Sequence, residues 1–61
     1  MMTISEIREA CKADDCGLEA FYCKGELFIN KPDGKTVWNE YMGWQAAHEL
    51  CADLELDIVE V

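Results

Sequence analysis

Apolar and polar positions along this chain change period several times, and each change marks an element. Thr3, Ile4, Ser5 and Glu6 fit the S/T-x-x-E capping box, which predicts a helix start. Ile4, Ile7 and Cys11 then recur at i, i+3 and i+7, while Glu6, Glu9 and Lys12 fall on the other side, the signature of an amphipathic helix. Gly17 is expected to end it in a left-handed conformation. Leu18 to Cys23 is rich in strand formers, Lys24 and Gly25 make a turn, and Leu27 to Ile29 return as the second arm of a hairpin. Lys31, Pro32, Asp33 and Gly34 form the clearest turn: proline presets φ, aspartate braces its own backbone and glycine accepts positive φ.

Lys35 to Trp38 read as a short third strand, with Asn39 as N-cap of a second helix from residue 40 to about residue 53. Tyr41, Trp44, Ala47, Cys51 and Leu54 recur at helical spacing in it, opposite Gln45, Glu49 and Asp53. Leu54, Leu56 and Ile58 alternate with Glu55, Asp57 and Val59, the period of a half-buried strand at a sheet edge. The order is α-β-β-(β)-α-β. The expected class is α+β: one domain over residues 1–61, an antiparallel sheet of three to four strands with two helices on one face. The first five elements follow the order of the double-stranded-RNA-binding domain, but the second helix carries no Lys or Arg to meet phosphates.

Charge changes the picture most. Thirteen Asp and Glu against five Lys and Arg give a net charge of −8. Direct nucleic-acid binding and attraction to an anionic membrane are thereby disfavoured, and no apolar run is long enough to span a bilayer. The asymmetry is sharper than the total. Residues 36–61 hold Glu40, Glu49, Asp53, Glu55, Asp57 and Glu60 and no Lys or Arg. Glu49 and Asp53 are i, i+4 neighbours on a helix, a like-charge pairing that costs a little local stability. Glu55 and Asp57 are alternate residues of a strand, about 6.6 Å apart along it, a spacing of the order of successive backbone phosphates. Asp14 and Asp15, expected at the first helix's C-terminus where the dipole disfavours anions, extend the candidate surface. Such a surface can occupy a cationic protein site, while solvated charge kept for solubility is the competing explanation.

Cys11, Cys16, Cys23 and Cys51 would permit three disulfide pairings in a secreted chain. Met1 to Glu6 carry neither a basic leader nor an apolar stretch of secretory length, so a cytoplasmic setting and free, structural thiols are expected. His48 and Cys51 lie i, i+3 on one helix, but there is no C-x-x-C, no orienting group and no oxyanion loop. No metal, cofactor or catalytic residue is expected, and His48 reads as a core histidine. Of the aromatic residues, Trp44 is expected in the core and Trp38, on the flank, as an exposed anchor for a partner.

A single small acidic domain without a catalytic motif and with a carboxylate-rich second half resembles the anti-CRISPR proteins that block type I, most of all type I-C, CRISPR–Cas effectors. The resemblance covers the whole chain and rests on no shared motif. It implies a monomeric inhibitor in a bacterial host cell that binds the surveillance complex, its Cas8-type large subunit in particular, mimics DNA and prevents target recognition. Glu40, Glu49, Asp53, Glu55, Asp57, Glu60, Asp14, Asp15 and Trp38 are then the partner-binding candidates. A small acidic protein-interaction module without DNA mimicry is the alternative.

Overall fold

The computed structural model describes residues 1–12 and 16–61. Its elements are α1 (Ile4–Cys11), β1 (Glu19–Cys23), β2 (Glu26–Asn30), β3 (Thr36–Tyr41), α2 (Trp44–Leu54) and β4 (Ile58–Glu60), the order expected from the sequence. The capping box forms at α1: the Thr3 hydroxyl accepts from the Glu6 N–H, and the Thr3 N–H donates to the Glu6 carboxylate at 2.8 Å. Gly17 does not end this helix. α1 stops at Cys11 with Lys12 as its cap, and Gly17, at φ +68, turns the chain into β1 against Pro32.

The strands lie in the order β3-β2-β1-β4. β1, β2 and β3 are antiparallel neighbours, joined first by Lys24 and Gly25, whose φ of 52 and 82 suit a tight hairpin turn. β4 departs from the expected antiparallel sheet, because it runs parallel to β1. A helix between two strands returns the chain to the end where it began, so β3, α2 and β4 form a parallel crossover that carries β4 to the far edge. Asn39 is not the cap of α2. It lies in β3 opposite Phe28 and donates its amide to the Glu26 carboxylate, while Tyr41 pairs with Glu26, and α2 begins only after Gly43.

Ile7, Ile29, Val37 and Leu54 form one buried cluster, and Ala20, Leu27, Ala47 and Cys51 a second. Both lie between the helices and one sheet face. A bulge in β3 pairs Trp38 with Ile29 and Thr36 with Asn30, which leaves Val37 over and lets both Val37 and Trp38 pack inward. Trp38 is therefore a half-buried residue touching both clusters, whereas Trp44 is 41% exposed, the reverse of the expected arrangement. The Met2 N–H donates to the Val37 carbonyl and covers part of the β3 edge.

Candidate functional site: an acidic corner beside an uncovered sheet face

The C-terminal turn of α2 runs against helix electrostatics. It carries no basic residue, and Asp53 and then Glu55 stand where the carbonyl end of the dipole disfavours anions. Glu55 also adopts the left-handed conformation, φ 60 and ψ 37, at a helix end where glycine is the usual solution. Its N–H and that of Leu56 return to the Ala52 and Cys51 carbonyls and close the helix. Glu55 and Asp57 then line a cleft of about 370 Å³ with Glu19, Cys16, Leu18 and Val59. A second cleft of about 200 Å³, also lined by Glu55, lies between Asp53 and Arg8 and Cys11 of α1 with its cap Lys12.

The structure brings some of the candidate carboxylates together and separates others. Glu55 and Asp57 share the larger cleft, and Glu49 stands exposed on α2. Asp53 is held by the Arg8 guanidinium, an exposed pair that ties α1 to α2. Glu60 on β4 and Glu40 on β3 lie in one rung, through Tyr22 and Leu27, but at opposite edges of the sheet. Three strand spacings put those edges roughly 14 Å apart. Among the described residues, Glu40, Glu49, Glu55, Asp57 and Glu60 have no ion pair or side-chain hydrogen bond. Asp14 and Asp15 lie outside the described residues.

His48 is exposed rather than core: its ring meets Trp44 edge-on at 4.0 Å, and Trp44 in turn meets Tyr22 at 5.0 Å. Cys51, one turn on, points inward at 1% exposure, and burial pushes its thiol pKa up. The i, i+3 pair thus diverges. No group of three or more His, Cys, Asp or Glu side chains among the described residues is placed to hold a metal ion. Among the described residues, no helix is long and apolar enough to cross a membrane.

The sheet face away from the helices was not foreseen as part of a site. Strand alternation turns Phe21 and Phe28 to that side, and register places Val59, Phe21, Phe28 and Asn39 in one row across all four strands. Cys23, Glu26 and Tyr41 form the next row on the same face. Neither phenylalanine belongs to a core cluster, Val59 is 50% exposed and Tyr41 76%. The signal was present in Ala20 to Cys23, which is apolar on both alternating faces although the chain has helices for only one. Val59 and Glu19 belong to this face and also line the larger acidic cleft, so the apolar row runs into the acidic corner without a break. No family model, curated protein sequence or solved structure matches this chain.

Proposed function

We propose that this chain is a protein-binding inhibitor whose acidic corner docks on a cationic protein surface of the kind that otherwise holds a nucleic-acid backbone. On the resemblance described above, the partner is a type I CRISPR–Cas surveillance complex, and the consequence of docking is loss of target-DNA binding. The observation that carries the reading is Glu55, an unpaired carboxylate in a left-handed backbone at an anion-disfavouring helix end. Two local rules are broken at one residue, and departures of that kind concentrate where function has set the sequence. Asp57 adds unpaired charge in the same cleft, Glu49 and Glu60 stand exposed on α2 and β4, and Asp53 is half neutralised by Arg8. Charge of this kind steers encounter and fixes orientation, while the Phe21, Phe28 and Val59 row supplies the apolar contact that gives an interface most of its affinity.

The test combines Glu49→Gln, Asp53→Asn, Glu55→Gln and Asp57→Asn in one chain. The variant should keep its circular dichroism spectrum and lose its competition with target DNA for the purified surveillance complex. A folded variant that still excludes DNA as the parent does would overturn the acidic interface. A second reading, an interaction module without DNA mimicry, is favoured by the same apolar row, because a phosphate backbone presents no such patch. It requires that the complex capture the inhibitor and target DNA together.

A further inference from the structure

The Cys16 thiol donates to the Cys11 sulfur across 3.9 Å, and neither residue is bonded to another cysteine. Cys11 is the last residue of α1, and Cys16 precedes the turn into β1. The approach is fixed from both ends. The capping box and the packing of Ile7 anchor α1, while a Cβ at Gly17 would lie 2.8 Å from the Pro32 ring, so only glycine lets the chain pass there. Cys23 sits on the sheet face away from the helices and Cys51 on the buried side of α2, and neither makes a comparable sulfur contact.

From this geometry we infer that Cys11 and Cys16 are a dithiol modification site, closed to a disulfide by exchange with a small-molecule disulfide such as oxidised glutathione. A disulfide holds its sulfurs at about 2 Å, so side-chain rotation has only about 2 Å to close. Cys16 lines the larger of the two clefts of the acidic corner, through which the reagent reaches its sulfur. Cys16 gives its proton to water, and its thiolate attacks the glutathione disulfide and expels one glutathione thiolate, which takes up a proton, leaving a mixed disulfide on Cys16. Cys11, packed against the core, then gives its proton to water and attacks the Cys16 sulfur. That step expels the second glutathione thiolate and forms the Cys11–Cys16 bond. Two protein thiols are oxidised and one glutathione disulfide is reduced. Cys11 also lines the smaller cleft beside Asp53 and Glu55, so the bond would lie between the two clefts of the acidic corner.

Sulfur chemistry tests this without any partner, so its outcome is independent of the proposed function. The reduced full chain is incubated with oxidised glutathione under native conditions, and free thiols, intact mass and cross-linked peptides are measured. The expected result is loss of two of the four thiols, a mass lower by about 2 Da, and one peptide joining Cys11 to Cys16. Cys23→Ser should still form the bond. Cys16→Ser, checked for folding by circular dichroism, should not. A stable glutathione adduct on Cys16 with Cys11 free, or native pairing spread over Cys23 and Cys51, would overturn the proposal.

Discussion

The two faces of this sheet are built from the same strands and have opposite fates. On the helix side Ala20, Leu27 and Ile29 are fully buried, small or aliphatic, and enclosed by Ile7, Ala47, Cys51 and Leu54. One residue along each strand, the half-buried Phe21 and Phe28 turn to the opposite side and join neither core cluster. Chain length explains the division. A 61-residue domain buries only about 60% of the surface its unfolded chain exposes, and two helices suffice to close one face. Stability is therefore concentrated on one side, and the larger aromatic side chains are left where a partner can reach them.

Adjacent substitutions offer the strongest way to break that comparison. Leu27→Ala opens a cavity under α2 and should cost about 2–5 kcal/mol, enough to unfold much of a domain this small. Phe28→Ala, its neighbour on the other face, removes no core contact and should cost far less in urea denaturation while weakening partner capture. Equal destabilisation by the two would mean that the uncovered face carries the fold as much as the covered one does.

How far these faces were legible in the sequence depended on whether the determining contacts were local. The capping box at Thr3 and Glu6, the two hairpin turns and the Ala47, Cys51 and Leu54 stripe of α2 were readable because each is set by residues a few positions apart, whereas Trp44, read into the same stripe, is exposed. Tyr41 fits a helical repeat with Trp44, yet cross-strand pairing with Glu26 holds it in β3, and a repeat along the chain cannot register a partner fifteen residues away. The parallel setting of β4 and the inward turn of Trp38 at the Val37 bulge were hidden for the same reason. Of the candidate site, Glu55 and Asp57 do share a cleft, but not as alternate residues of a strand from Leu54: Leu54 ends α2, Glu55 caps it in a left-handed conformation and β4 begins only at Ile58. The removal of Glu40 to the opposite edge follows from strand order alone.

A smaller effect of opposite sign comes from the corner where the two faces meet the acidic cleft. Glu55→Gly relieves the left-handed strain and removes an anion from the helix C-terminus, so it should stabilise the domain by roughly 1 kcal/mol. The proposed inhibition through this corner should fall in the same variant. A gain in stability with full inhibition retained would make Glu55 a structural accident, and it would shift the interface towards the Phe21 and Phe28 row.

Thiols sharpen the comparison most finely, because the chain carries them on both sides. Burial, and then the neighbouring Cys16 thiol, raise Cys11 to about 11, and burial raises Cys51 as well. Both groups favour the protonated thiol in the folded state more than in the unfolded one. The stability they contribute is therefore complete below the ordinary thiol value of 9.0 and is lost as pH rises from there towards about 11. The charged groups around Cys11 are Arg8 and Lys12 on its own helix and Asp53 and Glu55 from the end of α2. Urea denaturation between pH 8 and 11 should show a decline that Cys11→Ala reduces. At neutral pH, iodoacetamide should label Cys23 on the uncovered face well before Cys51, and a bound partner that covers this face should protect Cys23 while leaving the order of the others unchanged. Labelling of Cys23 at the free rate within the complex would show that the partner touches the acidic corner alone.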